Sequence, residues 1–351
     1  MTQMTFGNVP ADMGDPWTFG FGAYFSDAEP TPLSMTSTQF SAQDPLTGTR
    51  TDVFGQFDLS SYGAFLMSPV TGLAFHTATN ELLLDWRGQS TTLIDVLSYS
   101  DAEAFNATML AGADLILSGA GSDRLRGYAG DDRISAGVGD DVASGESGND
   151  TMNGGPGNDT LDGGAGRDTA TYTTPRSHFA VTIQSSTTGN PIVATLADAT
   201  GVEGNDSLLG VERLLFSDRA VGLDIAGTGG QAYRLYQAAF DRTPDLGGLG
   251  YWITVLDKGE TLVHVANGFL GSAEFAAQYG ANPTNEQYVQ ALYHNVLHRE
   301  PDAAGYDYWN SVLNPGLTTR AQMLVDFSES PENQGNVIGV IGNGFDYLPW
   351  G

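Results

Sequence analysis

Seven aspartates recur nine residues apart along this chain: Asp114, Asp123, Asp132, Asp141, Asp150, Asp159 and Asp168. A ladder of carboxylates suits a hard cation that takes oxygen ligands. The adjacent pairs Asp131-Asp132 and Asp140-Asp141 read as rungs of that ladder rather than as general acid and base. Two positions before each rung stands a glycine: Gly112, Gly121, Gly130, Gly139, Gly148, Gly157 or Gly166. Two positions after it stands an apolar residue: Ile116, Leu125, Ile134, Ala143, Met152, Leu161 or Ala170. A flexible glycine-rich linker would not hold such a register.

The elements that must position these aspartates follow from the period. Glycine reaches positive φ without steric cost, so a six-residue turn can coil tightly with its carbonyls inward. The apolar residue then closes a short strand onto a core. Two repeats make one turn of a flattened parallel β-roll, so each loop stacks on the loop two repeats away. Asp114, Asp132, Asp150 and Asp168 share one edge with three gaps, and Asp123, Asp141 and Asp159 share the other with two. Ca2+ takes ~6–8 oxygens at ~2.3–2.6 Å, which adjacent loops supply together, so about five Ca2+ are expected if every gap fills. Gly119, Gly137 and Gly155 hold the second loop position on the second edge, whereas Leu110, Tyr128, Glu146 and Gly164 hold it on the first. The first edge is therefore expected to bind more weakly unless its backbone can still make the turn. The best units, Gly154-Gly155-Pro156-Gly157-Asn158-Asp159-Thr160-Leu161-Asp162 and its neighbour from Gly163, match a Ca2+-binding nonapeptide.

This block resembles the repeats-in-toxin (RTX) family of secreted calcium-binding proteins. The resemblance implies that each ion takes backbone carbonyls and an Asp from two stacked loops. One site would use Gly119, Gly121, Asp123, Ala136, Val138 and Asp141. The next would use Gly137, Gly139, Asp141, Gly154, Pro156 and Asp159. The resemblance extends the metal sites to Gly112, Gly127, Gly130, Gly145, Gly148, Gly155 and Gly157. It also implies type I secretion with an uncleaved C-terminal signal, for which the tail 335–351, with Val337, Ile338 and Phe345, is the candidate. The mechanism implied is calcium-gated folding: the repeats repel one another in the calcium-poor cytosol and fold outside at ~millimolar Ca2+.

Composition narrows the partners. Against 42 Asp and Glu stand 14 Lys and Arg, a formal charge of −28 that would repel a phosphate backbone or an anionic bilayer. Nucleic-acid and membrane-surface binding drop out as leading readings. The absence of cysteine excludes disulfides, zinc–thiolate sites and a cysteine nucleophile. No apolar run reaches the ~18 residues of a membrane span. Residues 1–20 lack the basic and apolar segments of a Sec-type signal.

The expected fold class is multidomain β plus α. Residues 1–108 read as a β-rich N-terminal domain of unknown role, with a hairpin tip at Thr79-Asn80 and a short helix from Ser100 to about Leu110. The roll occupies 109–171. Residues 172–228 alternate apolar and polar side chains and read as a β cap on the roll's open edge. Within them, Gly204-Asn205-Asp206-Ser207-Leu208 offers Asp206 as a holder of one further ion, and Val211-Glu212-Arg213-Leu214 resembles the segment that closes RTX rolls.

Residues 229–334 turn helical and are duplicated, with 335–351 as a tail. Arg242-Thr243-Pro244-Asp245 and Tyr251-Trp252 recur at one common offset as Arg299-Glu300-Pro301-Asp302 and Tyr308-Trp309. With a slip of one position, Phe269 recurs as Phe327. Each Arg is expected at a helix C-terminus, each Pro in the first turn of the next helix, and each Tyr-Trp pair in the core. This part resembles an uncharacterised tandem helical domain often joined to RTX repeats, and also the lipopolysaccharide-binding helices of some surface-layer proteins.

Signs of an enzyme are missing. His294 and His298 stand four apart, but Asn295 occupies the place where a zincin carries Glu, and there is no Gly-x-Ser-x-Gly elbow. The sequence points to a non-enzymatic, secreted, calcium-binding protein acting as a cell-surface or matrix adhesion module that grips polysaccharide. Calcium-dependent self-assembly into a surface layer is the second reading, and an RTX hydrolase with a cryptic site the third.

Overall fold

The computed structural model describes residues 112–184 and 191–350, with the backbone alone of Ser185 and of seven strands nearer the N-terminus. Of those strands, β1 (Thr2–Met4) and β2 (Trp17–Phe19) pair antiparallel. The other five, β3 (Thr31–Met35), β4 (Gln39–Gln43), β5 (Arg50–Gly55), β6 (Pro69–His76) and β7 (Leu82–Thr92), form an antiparallel sheet in chain order. β6 and β7 run from Pro69↔Thr92 to His76↔Leu82, the flanks of the expected hairpin. Its tip, and the expected helix from Ser100, lie outside the described residues.

Two compact units divide the chain. The first holds Met1–Tyr172 and Leu196–Val211, and the second Thr173–Thr195 and Glu212–Gly351. In the first, the repeats give three-residue strands: β8 (Leu115–Leu117), β9 (Arg124–Arg126), β10 (Arg133–Ser135), β11 (Val142–Ser144), β12 (Thr151–Asn153), β13 (Thr160–Asp162) and β14 (Thr169–Thr171). Even-numbered strands pair in parallel in one sheet and odd-numbered strands in another, each with the strand two repeats away. The middle residue of each strand points inward, as alternation requires. Ile116, Ile134, Ala143, Met152, Leu161 and Ala170 are all buried, and only Leu125 is half-buried. Downstream, β15 (Phe179–Ser185) and the start of β16 (Val193–Asp198) fall in the second unit, and β17 (Asn205–Leu209) falls in the first, pairing in parallel with β13.

In the second unit β18 (Arg213–Leu215) and β19 (Ala220–Gly222) form an antiparallel pair. Eight α-helices follow among the described residues: α1 (Thr228–Phe240), α2 (Leu246–Asp257), α3 (Leu262–Leu270), α4 (Ala273–Tyr279), α5 (Asn285–Leu297), α6 (Ala303–Leu313), α7 (Arg320–Ser328) and α8 (Pro331–Ile341). β20 (Phe345–Tyr347) returns to pair with β19. The duplication is visible in the core, where Tyr236 meets Phe269 edge-on at 5.4 Å and Tyr293 meets Phe327 at 5.1 Å. Thr284 and Gln287 form the expected capping box on α5. No helix among the described residues is long and apolar enough to cross a membrane.

Two details of the duplicated motif depart from expectation, and its arginines gain partners beyond it. Pro244 and Pro301 precede the N-caps instead of entering the helix, because Asp245 and Asp302 are themselves the caps, accepting from the N–H of Gly248 and Gly305. Within each aromatic pair only the Trp packs against the core, while Tyr251 and Tyr308 are exposed. The Arg of each motif forms a bidentate pair with a carboxylate of the fourth helix of its half, Arg242 with Glu274 and Arg299 with Glu332. Each guanidinium also covers a core tyrosine, Tyr236 at 5.1 Å and Tyr293 at 4.9 Å.

Candidate metal centre

Each loop of the roll is stitched to the next by its aspartate. The backbone N–H of Asp114 donates to Asp132 Oδ1 at 2.8 Å, that of Asp132 to Asp150 and that of Asp150 to Asp168. On the other edge the same bond joins Asp123 to Asp141 and Asp141 to Asp159. The two columns are those that the two-repeat spacing predicts.

One oxygen of each crossing carboxylate is thereby used, and the other faces the loop interior. Oδ2 of Asp132, Asp141, Asp150 and Asp159 is buried without a hydrogen-bond donor. A buried anionic oxygen with no partner is costly, and a hard cation is what offsets it. The surroundings fit such an ion. A Cβ built on Gly127 would lie within 3.0 Å of both Asp132 Oδ2 and the Gly145 carbonyl oxygen, and one on Gly145 would meet Asp150 Oδ2 and the Gly163 carbonyl in the same way. Carboxylate and carbonyl oxygens converge there only because glycine leaves the space. Among the described residues no three His, Asp or Glu side chains cluster as a metal site on their own, so a cation in the roll depends on carbonyls.

The implied ligand sets sit in two stacked loops each. In the first, Gly119 O accepts from Val138 N at 3.0 Å and Val138 O from Gly121 N at 2.7 Å, so each carbonyl has one lone pair left. In the second, Pro156 has no N–H to offer Gly137, and that carbonyl stays open to a cation. The first edge keeps the turn despite its larger residues. Tyr128 and Glu146 both take φ +69°, in the left-handed region used by Gly137, Gly155 and Gly164. That conformation costs about 1–2 kcal/mol for a residue with a Cβ. The two side chains are joined by Arg126, which stacks on the Tyr128 ring at 4.6 Å and ion-pairs with Glu146.

The family comparisons agree with this geometry. Residues 110–143 and 135–170 match the RTX calcium-binding nonapeptide repeat (4 copies). Residues 110–170 are RTX repeats. The helices at 231–277 and 266–337 match a domain of unknown function (DUF4214). No curated protein matches the chain. RTX repeats bind calcium, and RTX proteins are typically secreted.

Several residues of the RTX roll escaped the nine-residue pattern. Ser118 Oγ donates to Asp123 Oδ2 at 2.6 Å, and Tyr172 donates to Asp206. The fifth loop position forms a second ladder, in which Asn149 N donates to Asp131 Oδ1 at 2.7 Å and Asn158 N to Asp140 Oδ1 at 2.8 Å. The histidine pair is split: His294 lies 3.4 Å from Glu300, while His298 caps α5 and lies 3.9 Å from Asp241.

Burial pushes the Asp132 carboxyl up to about 7 and those of Asp159 and Asp168 up to about 6, with neighbouring carboxylates adding to the rise. Asp141 and Asp150 shift the same way for the same first reason. The folded, metal-free roll therefore holds protons that the unfolded chain releases, and its stability falls as pH rises from about 4 toward 7. In calcium-free buffer the β signal of the roll is expected to be stronger at pH 5 than at pH 8. Apparent calcium affinity should run the other way, because protons compete for the same oxygens. Circular dichroism at the two pH values checks this, and a metal-free roll more ordered at pH 8 contradicts it.

Proposed function

We propose that this RTX protein is secreted, non-enzymatic and calcium-gated, and that it works outside the cell as a surface or matrix adhesion module. The observation that carries the gating is the set of buried Oδ2 atoms on Asp132, Asp141, Asp150 and Asp159 that lack a donor. Such a roll is incomplete until about five Ca2+ enter, so folding waits for the calcium-rich side of the membrane. Type I machinery is the export route that this reading requires.

The helical unit is the proposed grip on polysaccharide. A cleft of about 490 Å³ opens among Tyr279, Asn282, Gln287, Gln290 and His294. Its amides and imidazole suit sugar hydroxyls, and the exposed Tyr251 and Tyr308 offer stacking faces. Self-assembly is the second reading, supported by Ile338 and Val340, both exposed on α8. The full chain with saturating calcium, measured against a polysaccharide array and by light scattering, separates the two. Retention on polysaccharide at constant mass supports adhesion. Calcium-dependent growth in mass without retention replaces adhesion with assembly.

A further inference from the structure

We infer that Tyr172 limits how many cations the roll takes, by closing a sixth gap with a phenol hydroxyl. The inference rests on the calcium reading of the roll. After the seventh repeat the chain leaves the roll and then supplies one more rung. β17 pairs with β13 through Leu161↔Leu208, and Asp159 N donates to Asp206 Oδ1 at 3.0 Å. Asn205 N donates to Asn158 Oδ1 at 3.0 Å, extending the fifth-position ladder. Gly204 takes φ +81°, and a Cβ there would fall on the Gly157 carbonyl, just as one on Gly157 would fall on the Gly139 carbonyl. Asp206 therefore bridges to the loop of Asp159 as Asp159 bridges to the loop of Asp141.

One atom distinguishes this gap. Oδ2 of Asp132, Asp141, Asp150 and Asp159 meets no donor, whereas Oδ2 of Asp206 accepts from the Tyr172 hydroxyl at 2.9 Å. Both residues are buried. A neutral O–H thus does at this rung what a cation is needed for at the others. The opposite end of the column is finished alike, with Ser118 Oγ donating to Asp123 Oδ2. Hydroxyls terminate the column at both ends, and two open gaps lie between them. Glu203 is also buried here, and its charge acts on both Asp159 and Asp206. Without the phenol hydroxyl, Oδ2 of Asp206 would be left as the donor-less oxygens of the open gaps are, with a reason to admit a cation.

The test is the number of Ca2+ bound per full-length chain, measured by calorimetric titration and by metal content after dialysis at saturating calcium. Wild type is expected to bind about five. Tyr172→Phe keeps the ring, loses the hydroxyl and should bind one more. Asp206→Asn should keep the wild-type count, because no ion is held there, which gives a second measurement should Tyr172→Phe fail to fold. Six ions in wild type, no gain in a folded Tyr172→Phe, or loss of one ion in Asp206→Asn would each overturn the inference and leave calcium binding intact. No uptake by wild type would overturn the calcium reading and this inference together.

Discussion

Withdrawing calcium from the full chain is expected to abolish most of the β signal of the roll while the α signal of the second unit persists. The roll carries stacked, buried carboxylates, four of them with an oxygen that no donor reaches. Its strands are three residues long, too short to compensate for that cost by their own pairing. At a free calcium concentration ten times the dissociation constant, each site adds about 1.4 kcal/mol. Five such sites give about 7 kcal/mol, comparable to the whole stability of an ordinary domain, ~5–15 kcal/mol. The helices have a separate source of stability in the Tyr236, Phe240 and Phe269 cluster and in side-chain caps on α2 to α8. Far-ultraviolet circular dichroism during chelation and back-titration checks the claim. A full β signal in chelator would make the roll a static scaffold and remove the gate.

Gly148→Ala should cost the roll about 2–5 kcal/mol. Gly148 sits at φ +138°, and its Cβ would overlap the Gly130 carbonyl of the loop below. Left-handed backbone costs an L-residue about 1–2 kcal/mol. Overpacking against a backbone atom adds about 1–3 kcal/mol. Gly335→Ala is the matched control: it lies within α8 and a Cβ there meets nothing, so it should stabilise by about 0.5–1 kcal/mol. Urea unfolding in saturating calcium measures both. A Gly148→Ala roll within about 0.5 kcal/mol of wild type, the scatter of a neutral surface change, would mean that the loops do not stack this closely.

The roll was legible because its chemistry and its geometry share one period. A nine-residue repeat places each Asp above the Asp two repeats on, and an inward apolar residue two places later needs no further information. Asp206 breaks that reading because it lies 47 residues beyond Asp159, which is no multiple of nine. Only the short echo Gly204-Asn205-Asp206 hinted at its place. Ser118 and Tyr172 were hidden for a different reason, since a hydroxyl that finishes a column carries no periodic mark. In the helical unit the common offset exposed the duplication but not the partners of its arginines. Glu274 and Glu332 follow the same one-position slip as Phe269 and Phe327. The first edge was expected to be weaker unless its backbone could still make the turn, and Tyr128 and Glu146 do make the turn that glycine makes.

The return of β17 gives the roll a clasp as well as a zipper. Every other rung joins positions two repeats apart, so growth along the repeats proceeds by equal and local steps. The final rung spans 47 positions, and that longer closure costs about 0.9 kcal/mol more in chain entropy than one ordinary step. A chain growing from its first repeat therefore meets this uneven step after every cation-binding rung is in place. Completion of the solenoid becomes a separate event from its growth, set by residues that belong to none of the seven repeats.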